Sequence, residues 1–171
     1  MKAGALIAAA LGIVFGAWAE LEVPGSPVPV SLQTLMVVVA GIALGPSRGA
    51  LATALYLALG AIGLPVYADG KSGVSTLFGA TGGYLFGFVL GAAVAGWLTW
   101  RSGKRELRWV LPAALLGQVV VVAIGVPWLA VATGRTMEQA LAVGCWPFLP
   151  GLVIKALMAA VGFWAWERWR A

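Results

Sequence analysis

Histidine is absent from the 171 residues, and cysteine occurs once, at Cys145. A single thiol excludes a disulfide within the chain, and without histidine there is little from which to build a transition-metal site. Charge is scarce as well. Charged residues make up 10% of the chain, against about 25% in a soluble domain, so this surface cannot face water on every side. No G-x-x-x-x-G-K-[ST] phosphate loop occurs, which excludes ATP hydrolysis by that route. The few acids are scattered, and neither Cys145 nor the loop serines have a base beside them, so the residues argue against an enzyme. The formal net charge of +5 comes from basic residues in short connections between apolar runs, which points to lipid topology rather than to nucleic acid.

What the chain does have is apolar length. Hydrophobic residues are 61% of it, and the mean hydropathy is +0.96. A helix crossing the hydrocarbon core needs roughly 20 apolar residues. The uncharged runs, divided at proline and glycine breaks, predict helices near 3–19, 31–46, 48–64, 81–100, 109–132 and 147–167. The second is short, because Pro24, Pro27 and Pro29 block helix before it and Pro46 marks its end. The expectation is an all-α integral membrane protein, a single membrane domain over 1–171 with six spans and no internal repeat. Lys2, the apolar run from Ala3 and the Ala17-Trp18-Ala19 step loosely resemble a signal peptide. That run is long for one and five more follow, so a retained first helix is the better reading.

Orientation follows from the basic residues in alternate connections. One side holds Lys2, Arg48, Arg101, Lys104, Arg105, Arg108, Arg168 and Arg170; the other holds only Lys71 and Arg135. Both termini are therefore expected in the cytoplasm. The connections 20–30, 65–80 and 133–146 then face outward, carrying Glu20, Glu22, Asp69 and Glu138. They are the long, Pro- and Gly-rich segments, where function usually resides. Trp97, Trp100, Trp109, Trp164, Trp166 and Trp169 fall near cytoplasmic ends of spans and read as interfacial anchors. Gly4, Ala8, Gly12 and Gly16 in the first span, and Gly83, Gly87 and Gly91 in the fourth, repeat at four-residue spacing. Such spacing suits close helix packing inside the chain or a face for a partner helix.

Lys155 is the most informative residue. Eight positions beyond Pro147, it lies roughly 12 Å along a helix of ~1.5 Å rise per residue. A lysine at that depth costs at least ~2.5 kcal/mol, so it needs a polar cavity, a partner, or a stem long enough to snorkel to the interface. No acid lies within two helical turns of it on its own span. An anionic ligand carboxylate would serve. Gln33 and Thr34 open the second span, where they either cap their helix or bond a ligand. Thr81, Gly82, Gly83 and Tyr84 open the fourth span from the same side, the glycines allowing close approach and Tyr84 offering a ring face and a hydroxyl. Together with Asp69 and Lys155 these clusters converge on the outer side and favour a pocket there.

Three segments, PVPVSLQTLMVVVAGIALGPSRGALATALYLALGAIGLPV (27–66), LFGATGGYLFGF (77–88) and PFLPGLVIKALMAA (147–160), resemble the BioY family in matching order along the chain. That family comprises biotin-specific substrate-binding subunits, the S components of energy-coupling-factor transporters. The resemblance implies a six-helix S-component fold, biotin as ligand and no cofactor. The pocket would lie under the outward loops, in a bacterial inner-membrane protein. It also implies a membrane coupling protein and two cytoplasmic ATPase subunits as partners, the ATP being used by the latter. Small residues of the first helix would dock the coupling protein, with Ala5 and Ala9, or the frame Gly4, Ala8 and Gly12, as the matching candidates. Lys155 matches the family lysine associated with the biotin carboxylate. Two positions depart from the pattern: Leu152 stands where an Asp that contacts the ligand is usual, and Ala80 where Pro is common. Asp69 is the candidate to replace the missing acid. The readings left beside biotin capture are an S component for another small anionic or cyclic compound, and a helical channel or scaffold without a specific ligand.

Overall fold

The computed structural model describes residues 3–101 and 106–170. Lys2, Lys104 and Arg105 of the basic count lie outside the described residues, as does the side chain of Arg170. Helix α1 (Ala3–Trp18) leads into a hairpin of two short strands, β1 (Glu20–Leu21) and β2 (Val30–Ser31). The strands are antiparallel, Glu20 facing Ser31 and Leu21 facing Val30. Helices α2 (Gln33–Leu44) and α3 (Pro46–Ala61) follow, then a loop holding a 3-10 turn (Ala68–Gly70) and the one-turn helix α4 (Val74–Leu77). Helix α5 (Gly82–Trp100) and helix α6 (Val110–Thr133) run antiparallel; a short α7 (Met137–Gly144) and a 3-10 turn (Trp146–Phe148) lead to α8 (Leu149–Arg170).

Local chemistry explains the boundaries that differ from the expectation. The break between α2 and α3 falls at Gly45, whose φ of 85° suits glycine. Pro46 then opens α3, where its missing N–H costs nothing, rather than closing α2. The outward connection 133–146 contains a helix that periodicity did not single out: Thr136 Oγ1 accepts from the Gln139 backbone and Gln139 Oε1 accepts from that of Thr136. This reciprocal capping box is a strong local start signal for α7. Helix α8 begins at Leu149, so Lys155 stands six residues inside it, roughly 9 Å rather than roughly 12 Å along the helix.

Helices α5, α6 and α8 are long and apolar enough to cross a membrane. Their outward faces remain apolar; Leu90, Val119, Val131, Val153, Leu157 and Val161 are all exposed. Such all-round hydrophobicity marks helices whose solvent is lipid. Helix α2, with 12 residues, rises only ~18 Å against a hydrocarbon core of roughly 30 Å. Protein covers it instead, with Leu35, Val37, Val38, Ala40, Gly41 and Ile42 buried. Irregular backbone at its ends is tolerable for that reason.

Glycine sets the closest crossings. A Cβ at Gly91 would strike the Gly117 carbonyl oxygen, one at Gly87 would meet the Val121 backbone, and one at Gly83 the Trp128 side chain. In the fourth span the small-residue spacing therefore serves internal packing, and α5–α6 is the most extensive helix pair. On α1 the pattern divides. Gly16 meets the Leu32–Gln33 backbone at 3.0 Å, whereas nothing lies within 4 Å of a Cβ at Gly4, and Ala8 is exposed. Ala5, Ala9 and Gly12 are half-buried.

Candidate ligand-binding site

A cavity of about 760 Å³, the open space at its mouth included, lies beneath the β1–β2 hairpin and the loop after α3. Its walls come from five segments of the chain. Val28 to Ser31 of the hairpin and Gln33 and Thr34 of α2 form one side; Tyr67, Ala68 and Lys71 of the loop after α3 hang over it. Helices α5 and α6 supply Tyr84, Leu85, Phe88, Gln118, Val121 and Val122, Thr81 lines it just before α5, and Phe148 of the 3-10 turn and Leu152 of α8 close it. The lining is mostly apolar and contains no carboxylate. Such a site takes most of its binding energy from burial and its specificity from a few polar atoms.

Those polar atoms differ in what they have left to offer. Gln33 is buried, its Oε1 accepting from Ser31 Oγ at 2.9 Å and its Nε2 donating to Tyr56 Oη at 2.6 Å. Both ends of that amide are engaged, so Gln33 braces α2 against α3, and neither it nor Thr34 caps its own helix. Thr34 Oγ1 accepts from Lys155 Nζ at 3.0 Å. A hydroxyl that accepts still has its O–H to donate. Tyr84 Oη donates to the Gly144 carbonyl at 2.7 Å, and its ring stacks on Phe148 with centroids 6.4 Å apart. Its ring face is what remains for a ligand. Gly82 and Gly83 do not line the cavity; they let Leu77 and Trp128 pack against α5.

Lys155 is 7% exposed. Its ammonium lies just behind the lining, one hydrogen bond from the cavity through Thr34, and it forms no ion pair with a described residue. A buried ammonium satisfied only by a neutral hydroxyl keeps an uncompensated charge, which a dry environment penalises by several kcal/mol in the absence of an anion. Asp69 does not supply that anion. It sits in the left-handed region with φ of 57°, its carboxylate on Lys71 Nζ at 2.6 Å and its backbone N–H donating to Glu20 Oε1 at 2.8 Å. The hydrogen bond from Lys71 holds the Asp69 carboxyl below its ordinary range, while burial raises that of Glu20. Asp69 thus belongs to a latch with Lys71 and Glu20 at the protein surface and does not line the cavity, so its position gives no support to the expectation that it replaces the acid missing at Leu152.

Ser31, Tyr67, Lys71, Thr76 and Gln118 also line the cavity although the sequence did not single them out as site residues, and Gln118 is the one inside a long apolar helix. Gln118 stands in the middle of α6, 2% exposed, with Nε2 donating to the carbonyl oxygens of Ala114 at 3.2 Å and Leu152 at 3.1 Å. The signal was available, since an amide in an uncharged 24-residue helix is as conspicuous as a lysine.

A multi-span helical bundle with a mostly apolar cavity under its hairpin and the loop after α3 has the build of a membrane protein that holds a small molecule. The family model of the BioY family matches residues 2–171, and the chain belongs to that family. Among curated relatives, the biotin transporter BioY of Thermotoga maritima is 42% identical over 149 residues, covering 87% of this chain and 85% of that one. The biotin transporter BioY of Rhizobium etli is 38% identical over 160 residues, covering 90% and 85%. Among solved structures, the S-component for biotin from an ECF-type ABC transporter superposes with a TM-score of 0.82 at 25% identity, over 91% of this chain and 85% of that one.

Proposed function

We propose that this protein captures biotin in the cavity from the outer face of a bacterial inner membrane and serves as the substrate-binding subunit of an energy-coupling-factor transporter. One observation carries the reading beyond family membership: a buried ammonium, Lys155, sits one hydrogen bond behind a mostly apolar cavity with no anion among the described residues to compensate it. Biotin matches that arrangement, having a carboxylate on a flexible chain and a compact bicyclic head. The carboxylate would take the Thr34 O–H with Lys155 behind it, and the head would bury against Tyr84, Phe88 and Phe148. The proposed roles of Lys155, Thr34 and Tyr84 follow from this pose; Thr81 adds a polar group to the wall beside Tyr84, Gln33 acts by positioning, and Leu152 by shaping the wall.

Release inward would require a membrane coupling protein and two cytoplasmic ATPase subunits, with ATP used by the latter. The exposed small residues Gly4 and Ala8, flanked by Ala5, Ala9 and Gly12, form the face of α1 proposed to meet the coupling protein. Cytoplasmic termini, argued from the basic residues, put that face and the ATPases on the same side.

Equilibrium binding of labelled biotin to the purified protein in detergent tests the proposal: saturable binding at one site per chain is expected, and its absence would sink it. Because Leu152 makes the wall apolar where an acid is usual, competition by other small carboxylates belongs in the same experiment, and preference for one of them would move the substrate away from biotin. For docking, Ala8→Leu should abolish co-purification with a coupling module and leave biotin binding within about threefold. Loss of both together would show α1 packing inside the bundle instead.

A further inference from the structure

An amide has a donor end and an acceptor end, and at Gln118 the surroundings decide which faces where. Its neighbours across α6 and α8 are two carbonyl oxygens, those of Ala114 and Leu152. Only the NH2 end can meet them, since the reverse placement would set three oxygens against one another. Oε1 is therefore turned away from both, and among the described residues nothing donates to it. Gln118 lines the cavity, and its neighbours in that wall, Leu85, Val121, Val122 and Leu152, are apolar. An acceptor so placed costs free energy until a donor reaches it.

Leu152 contributes to this arrangement through its backbone. Its side chain forms apolar wall, and its carbonyl holds the Gln118 amide in one orientation. The cavity lining contains no carboxylate that could accept an N–H more strongly. A cyclic urea carries two N–H donors on an otherwise compact, weakly polar ring, and it complements an oriented carbonyl in an apolar wall.

We propose that Gln118 is the residue that recognises the cyclic urea of the ligand, its Oε1 accepting a ureido N–H. This rests on the biotin reading of the cavity and assigns the selectivity of that site to an amide on α6. Carboxylic acids of similar size without a ring N–H would leave the oxygen unpaired and bind more weakly. The charged end and the urea are then read by different helices, α8 with α2 for the carboxylate and α6 for the urea.

The experiment measures equilibrium binding of two ligands to purified wild type and Gln118→Met: biotin, and an analogue with CH2 in place of both ureido N–H groups. Wild type should bind biotin at least roughly tenfold tighter than the analogue. Gln118→Met should lose roughly tenfold or more for biotin and less than about twofold for the analogue. Unchanged biotin affinity in the variant would overturn the proposal. So would equal losses for both ligands, which would mean that Gln118 only ties α6 to α8. Gln118→Asn keeps an amide but withdraws its oxygen by one methylene; it covers the case in which methionine prevents folding, and the same selective loss is expected. If wild type binds no biotin at all, the reading of the cavity fails, a result distinct from a Gln118 variant that binds like wild type.

Discussion

The mouth and the floor of the cavity each hold one lysine, and the two are bonded in opposite ways. Lys71 at the mouth is half exposed and paired with Asp69 at 2.6 Å, in a latch that Glu20 completes from β1. Lys155 at the floor is buried, and a threonine hydroxyl is its partner. Water and salt screen the first pair, so it contributes about 0–1 kcal/mol. The second charge is buried away from such screening and has no anion among the described residues. A ligand carboxylate arriving at the floor would find a charge waiting, whereas at the mouth it would have to displace Asp69. The difference teaches that charge alone does not identify a binding residue; what its charge lacks does.

The largest expected effect follows at the floor. Removing one partner of a buried charge pair costs about 2–5 kcal/mol, so Lys155→Ala should weaken biotin binding by at least roughly thirtyfold in an equilibrium assay. Second comes Leu152→Asp, which places a carboxylate in the wall close to Gln118. It adds an acceptor for ring N–H groups, and biotin binding should tighten by a few-fold; outright loss would mean that the wall is shaped around leucine. Smallest is the mouth. Lys71→Ala should change biotin affinity by less than about threefold, and a loss comparable to that of Lys155→Ala would erase the distinction between the two lysines.

How far the sequence discloses this contrast differs between the two ends. The floor was half legible: one lysine in an apolar run stands out by its insertion cost alone. Its link to Thr34 was not, because a contact between α8 and α2 depends on how the helices pack. Gln118 was legible by the same rule as Lys155 but was passed over, since an amide adds no charge to the count. The mouth was less legible. Asp69 stands out in the sequence as an acid in a loop expected to face outward, but its left-handed backbone and its pairing with Lys71 are contacts that only the fold discloses. The helices themselves were easier, because lipid solvation writes them as long apolar runs. Their boundaries shifted where glycine and proline acted locally, as at Gly45 and Pro46. Strands of two residues carry too short a pattern to be read, and the hairpin that roofs the site went unforeseen for that reason.

The most direct test of the account compares biotin with its neutral amide on wild type and Lys155→Ala. If Lys155 compensates the ligand carboxylate, the amide should bind wild type poorly and lose little more in the variant, while the acid loses at least roughly thirtyfold. Such non-additivity is the signature of a direct interaction. If the substitution weakens acid and amide by the same factor, the lysine does not read the carboxylate, and the floor of the cavity has been misassigned.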